Sequence, residues 1–289
     1  TPWFPASLTK MMTAYVAFPA LRNGEVKPDT PAIVTKNALA QPPTKLGLPV
    51  GSSIPLETAI RVIIVKSAND VAVMVAETVG GSEAAFIERM NEAAKRLGMT
   101  STQFANPHGL PNEQQYTTAR DLGRLARALI IEFPEYADIF SMKSVSVGKR
   151  QLRSHNGLLR TFNGADGMKT GFICDSGFNI VVSATRDGRK LVAVVLGEPS
   201  TRVRNARAAQ LLENGFKRYF WKSLFGTSLN GLAQPADRAD KPAHLRAVIC
   251  GPRPKRKKTR RSDVTPDLFR LETPVTELAD LPALSPAIN

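Results

Sequence analysis

"GFNIVVSATRDGRKLVAVVLG", residues 177–197, decides the fold class. Two stretches rich in Val and Ile flank Asp187-Gly188. Asp-Gly suits the tightest hairpin turns, whose central residues take positive φ. Residues 178–196 are therefore expected to form two antiparallel strands. Upstream, before about residue 140, the apolar spacing is helical instead. Leu8, Met11, Met12, Tyr15 and Val16 mark a helix over 7–22, and "PLETAIRVIIVKS" opens with Pro55 and Glu57 and runs as a helix to Lys66. "NDVAVMVAETVGG" is a helix ending at Gly80 and Gly81, "SEAAFIERMNEAAKRLGM" is one capped by Ser82, and "TARDLGRLARALIIEFPEY" is one stopped by Pro134. Residues 31–54 read as short strands and loops, "KSVSVG" as a strand, and "RVRNARAAQLLENGFKRYFWKSL" as a last amphipathic helix. Helices, then a sheet, then a terminal helix predict an α+β fold with helices packed on an antiparallel sheet.

The 289 residues are 43% hydrophobic and 22% charged, enough for one or two domains with a substantial core. No apolar run is long enough for a membrane-spanning helix. "TPWFPA" has neither the basic start nor the apolar stretch of a secretory signal. The net charge of +14 invites a nucleic-acid partner. "RPKRKKTRR", Arg253–Arg261, supplies seven of those charges with no aromatic residue to stack on bases. It is expected to be a solvated tail or an anchor for anionic lipid or polymer, not a specific nucleic-acid site. After about Thr227 the chain turns polar and Pro-rich, with disorder expected from Gly251. Cys174 and Cys250 form no metal or redox motif; two unpaired, partly buried thiols are expected, with a disulfide as the alternative. No metal or other cofactor is expected.

Three polar clusters carry chemistry. In "SLTK", Ser7 and Lys10 share a helix face, so the lysine reaches the hydroxyl. Burial and a neighbouring cation would favour the neutral amine that can take the serine proton. In "KSAND", Ser67 and Asn69 sit between two helices; taken alone, a helix stop and an N-cap would explain them. Facing a cleft, Ser67 would relay a proton and Asn69 would bind an amide. In "DGMKTGF", Lys169, Thr170 and Gly171 lie on an expected edge strand, where glycine would clear space for a peptide added as a further strand.

Ser-x-x-Lys, Ser-x-Asn and Lys-Thr-Gly in this order resemble the penicillin-binding-protein family, most closely its low-molecular-mass D-alanyl-D-alanine carboxypeptidases. The resemblance extends through "PASLTKMMTAY", "GSSIPLETAIRVIIVKSANDVAVMVAETVGGS", "FANPHGLP", "TTARDL", "NGLL" and "DGMKTGF", over residues 1–222. It implies the transpeptidase fold shared with β-lactamases and a catalytic domain over 1–222, leaving 223–289 as a tail. It also implies Ser7 as acylated nucleophile, Lys10 as base, Ser67 as proton relay and Asn69, Lys169, Thr170 and Gly171 as substrate contacts. The backbone N–H groups of Ser7 and Phe172 would form the oxyanion hole. Arg204 falls near an arginine that binds the substrate carboxylate in some members, with Arg202 and Arg207 as competitors.

The implied activity is removal of the terminal D-alanine from peptidoglycan pentapeptides in the periplasm or cell envelope, with covalent binding of β-lactams. Relatives carry a longer stretch before Ser-x-x-Lys, so a signal peptide and the first strands of the sheet are expected upstream of Thr1. A class A β-lactamase would need a Glu-x-x-Leu-Asn stretch, which does not occur between Asn69 and Lys169. A DD-endopeptidase, a charged-surface binding module resting on the tail, and an inactive scaffold compete with the carboxypeptidase reading. His108 and His155 are not expected to catalyse, because Lys10 already supplies a base.

Overall fold

The computed structural model describes residues 1–218 and 241–252. Its helical half gathers around α4 (Asn69–Gly80), whose residues from Asn69 to Ala76 are all buried. A helix apolar on every side must be surrounded. Here α1 (Lys10–Arg22), α2 (Lys36–Ala40), α3 (Leu56–Val65) and α5 (Glu83–Arg96) pack on it. Ser82 caps α5 through the Ala85 N–H, and Thr118 caps α6 (Ala119–Glu132) through the Asp121 N–H. The expected strands in 31–54 appear as β1 (Pro31–Ile33) paired with β2 (Ser53–Pro55). Between them lies α2, which the residue pattern does not predict; Thr35 caps it.

The short helix α7 (Ala137–Ser141) leads to a second hairpin, β3 (Ser144–Val147) with β4 (Arg150–Arg153). One further helical turn, α8 (Leu158–Thr161), leads into the main sheet. This sheet has the order β5-β6-β7 and is antiparallel throughout: β5 (Ala165–Ile173), β6 (Gly177–Arg186) and β7 (Arg189–Glu198). Asp187 and Gly188 take φ of 49° and 71°, the turn their pairing predicts. Helix α9 (Thr201–Lys217) covers the sheet, burying Ala208 and Leu212 against Ile180, Val182 and Val195. Helices on an antiparallel sheet give the expected α+β fold. β5 is an edge strand, and it is the strand that carries Lys169, Thr170 and Gly171.

The cysteines overturn the expectation of free thiols. Cys174 and Cys250 form a disulfide, their Cα atoms 5.6 Å apart. A separation of 76 residues in sequence says nothing of distance in space. The segment 241–251 returns to the turn after β5, where the Leu245 N–H donates to the Asp175 carbonyl at 3.0 Å. The described residues up to Gly251 cluster as one unit, so this segment, which its composition assigns to the tail, joins the unit formed by the residues before it. The basic run Arg253–Arg261 lies outside the described residues.

Candidate active site

Ser7 lies in a 3-10 turn, Ala6–Thr9, that leads directly into α1. In a 3-10 turn residues i and i+3 eclipse, so Lys10 stands over Ser7, its Nζ 3.1 Å from the Ser7 Oγ. The turn is entered through Ala6 at φ 49°, a left-handed conformation costly for alanine. Gly109 makes room for it: a Cβ there would lie 1.9 Å from the Ala6 carbonyl oxygen.

Lys10 is fully buried. Its amine donates to the Asn69 Oδ1 at 2.7 Å and to the His108 carbonyl at 2.5 Å. Asn69 has its orientation fixed, because its Nδ2 donates to the Pro42 carbonyl at 2.9 Å. Two of the three partners can therefore only accept. A neutral amine offers two N–H donors and one lone pair, and the lone pair then faces the Ser7 hydroxyl. Burial first, and the charge of Lys169 second, hold the Lys10 pKa well below the usual lysine value, with Asp70 pulling weakly the other way. Both causes favour the neutral amine.

Ser67 and Asn69 cap nothing. α3 ends at Val65, Ser67 turns the chain at φ 64°, and Ala68 precedes α4 without a side-chain cap. The Ser67 side chain faces the cleft. There its Oγ accepts from the Lys169 Nζ at 2.9 Å, and Lys169 also donates to the Thr170 carbonyl at 2.9 Å. Burial, then Arg204, lowers the Lys169 pKa to about 7. Both ends of the Asn69 amide already engage protein groups, so its first structural task is to aim Lys10.

Gly171 also meets neighbours that the sequence does not show. A Cβ there would come within 3.0–3.1 Å of the Pro5 carbonyl and the Ser7 and Leu8 nitrogens. The glycine lets β5 lie against the Ser7 turn. Phe172, next along the strand, is 42% exposed and rests on Phe178, ring centroids 4.3 Å apart.

These elements enclose a cleft of ≈ 630 Å³ that Ser7, Ser67, Asn69, Thr170, Phe172 and Arg204 all line. Arg204 is 3% exposed. It bonds the Asn205 side chain at 2.9 and 3.1 Å and the Asn179 carbonyl at 3.5 Å, and among the described residues it meets no carboxylate. Burial lowers its pKa to about 10, which leaves it charged at neutral pH. Its competitors lie outside: Arg202 is exposed, and Arg207 pairs with Glu198 at 3.2 Å. Arg204, which keeps its charge, and Lys169, which is charged below a pH of about 7, thus make the cleft a site for an anion.

His108 is held neutral, its pKa lowered to about 3 by burial and Lys10. Its Nδ1 accepts from the Leu110 N–H at 3.1 Å, and its carbonyl orients Lys10. His155 lines the cleft, and burial and the nearby lysines lower its pKa. Two residues of the site escape motif reasoning. One is Asp70, whose carboxylate accepts from the Leu46, Gly47 and Val71 N–H groups and ties down the loop that carries Pro43 and Thr44. The other is Arg246, from the returning segment. Asp70 is legible as the residue after Ser-x-Asn; no signal near Arg246 marks it.

Residues 2–200 match the family model Peptidase_S11, D-alanyl-D-alanine carboxypeptidase. The D-alanyl-D-alanine carboxypeptidase DacA of Haemophilus influenzae is 35% identical over 222 residues, covering 75% of this chain and 56% of that protein. DacC of Escherichia coli is 37% identical over 220 residues, covering 74% and 55%. The chain thus spans little more than half the length of these curated relatives. Among solved structures, penicillin binding protein 5 from Haemophilus influenzae superposes with a TM-score of 0.72 at 35% identity, covering 75% of this chain and 64% of that one.

Proposed function

Because the chain belongs to the D-alanyl-D-alanine carboxypeptidase family, we propose that it removes the terminal D-alanine from peptidoglycan stem pentapeptides through an acyl-enzyme on Ser7. The observation that carries this proposal is the partner set of Lys10. Two acceptors take its N–H groups, and the remaining lone pair faces the Ser7 hydroxyl.

The substrate docks along β5 as an antiparallel strand, as peptides commonly add to a free sheet edge. Its terminal carboxylate meets Thr170 and the cations Lys169 and Arg204. Ser7 gives its proton to Lys10 as its Oγ bonds to the carbonyl carbon between the two D-alanines. The backbone N–H groups of Ser7 and Phe172 receive the developing oxyanion, the kind of stabilisation that usually contributes most in acyl transfer. The C–N bond breaks as the proton that Lys10 took from Ser7 passes through Ser67, hydrogen-bonded to Lys169, to the departing amine, which leaves Lys10 neutral again. Water, deprotonated by Lys10, then hydrolyses the ester and frees Ser7.

The Haemophilus influenzae relative is named for binding penicillin, and a β-lactam of that kind would acylate Ser7 in the same way and leave slowly. Its substrate places the protein outside the cytoplasmic membrane, in the periplasm or cell envelope, where trimming of stem peptides acts on cell-wall growth and cell shape. Anionic membrane or polymer contact through Arg253–Arg261 belongs to the same proposal.

The test is a pair of pentapeptides, one ending in the free acid and one in its amide, with released product identified by mass spectrometry. A site whose buried cations await a carboxylate rejects an analogue lacking it by orders of magnitude. The amide should be nearly inert. Equal cleavage of both would put a DD-endopeptidase in place of the carboxypeptidase.

A further inference from the structure

The returning segment 241–251 lies beyond the residues that match the family model, and the chemistry above does not use it. It is nevertheless fastened to the mouth of the cleft by several bonds. Cys250 is joined to Cys174, and the Leu245 N–H donates to the Asp175 carbonyl. The two oxygens of the Asp175 carboxylate meet the Arg246 Nη2 at 2.6 Å and the His244 Nδ1 at 3.2 Å. The His244 ring lies 5.1 Å from that of Phe4, and its Nε2 is 3.7 Å from Glu113, on the loop that also gives Leu110 and Pro111 to the cleft. The strap therefore joins the end of β5 to that loop, and Arg246 lines the cleft.

Strand direction says which part of a substrate meets it. A peptide antiparallel to β5, with its carboxylate at Thr170 and its scissile carbonyl at Phe172, runs its preceding residues past Ile173 and Cys174 toward Asp175 and Arg246. This direction rests on the function proposed above. The Asp175 side chain is 11% exposed and its charge is held first by Arg246, so it serves to aim the Arg246 guanidinium and the His244 ring. The Arg246 side chain is 62% exposed, and among the described residues only its Nη2 is engaged. A guanidinium has five N–H donors in a planar fork suited to carboxylates.

We propose that Arg246, held on the disulfide-stapled strap, is a substrate-binding residue for a carboxylate on the residues preceding the penultimate D-alanine. The strap extends recognition to the acyl side of the scissile bond.

The experiment uses the full chain and two peptides ending in D-Ala-D-Ala. They differ only in the preceding residue, whose side-chain carboxylate is free in one and amidated in the other. The readout is the ratio of kcat/KM between them, from D-alanine release. Wild type should favour the carboxylate about fivefold, the scale of an exposed ion pair. Arg246→Lys should keep part of this preference, Arg246→Ala should lose it and Arg246→Glu should reverse it. Cys250→Ser, which unfastens the strap, should weaken it, and added salt should erode it. A preference unchanged in Arg246→Glu, or absent in wild type that turns over both peptides, overturns the subsite alone. If wild type releases D-alanine from neither peptide, the carboxypeptidase reading fails and the subsite falls with it.

Discussion

At the floor of the cleft, Lys10 and Lys169 are at most 1% exposed, and burial is the largest cause of both lowered pKa values. At its rim, Arg246 is 62% exposed and held by one exposed-to-buried ion pair. The two regions use cations for opposite ends. A lysine that must accept a proton near neutrality needs a site hostile to its charge. A cation that only greets a passing carboxylate needs water and mobility, at the cost of affinity. Arg204 stands between them: it is buried, yet a guanidinium at a pKa of about 10 keeps its charge where a lysine sheds it.

The largest effect should come from the floor. Ser7→Ala should abolish the covalent adduct with a fluorescent penicillin, seen on a denaturing gel. Lys10→Ala should slow acylation by ~10²–10⁴-fold, the usual contribution of a general base. Full labelling of either variant would mean that the Lys10 geometry does not activate Ser7. An intact circular-dichroism spectrum separates loss of chemistry from loss of fold.

A smaller effect tests whether the two lysines are coupled. Lys10 works as a base only when neutral, so acylation should rise with pH through its pKa. Below pH of about 7 Lys169 is charged, and its repulsion keeps the proton off Lys10. Lys169→Gln removes that repulsion, raises the Lys10 pKa and should move the rising limb of the penicillin-acylation profile to higher pH. A limb that stays in place would show that burial acts on Lys10 alone, and one that moves to lower pH would contradict any repulsion from Lys169.

The same division separates what was legible in the sequence from what was not. The floor is written in three short motifs because i,i+3 spacing, a helix junction and one strand fix its side chains locally. Each motif alone has a bland reading, but the three in this order resemble one known family, and that resemblance is what singles out Ser7, Lys10, Ser67 and Lys169. What Asn69 and Gly171 do could not be found this way, since it depends on Pro42, Lys10 and the Ser7 turn arriving from elsewhere. The hairpin at Asp187-Gly188 was legible because a turn is local chemistry. The strap was not: the partners in Asp175–Arg246 and Cys174–Cys250 lie 71 and 76 residues apart, and nothing in either segment announces the other.

The smallest effect is expected at Arg207, one of the two arginines that spacing could not tell from Arg204. Arg204 and Arg207 share helix α9, but Arg204 points into the cleft while Arg207 pairs with Glu198 outside it, its side chain 46% exposed. Losing an exposed pair of this kind costs about 0–1 kcal/mol, and salt screens what remains. Arg207→Ala should therefore shift thermal stability slightly and leave kcat/KM for a free-acid pentapeptide within about twofold of wild type. Arg204→Ala should instead lower kcat/KM sharply for the free acid and little for the terminal amide, because only the acid presents the charge that Arg204 meets. A double comparison of both variants on both peptides isolates that charge term from any change in fold. If Arg207→Ala showed the acid-specific loss and Arg204→Ala did not, the carboxylate would have to be met from the outer face of α9, and the peptide would need a different path across β5.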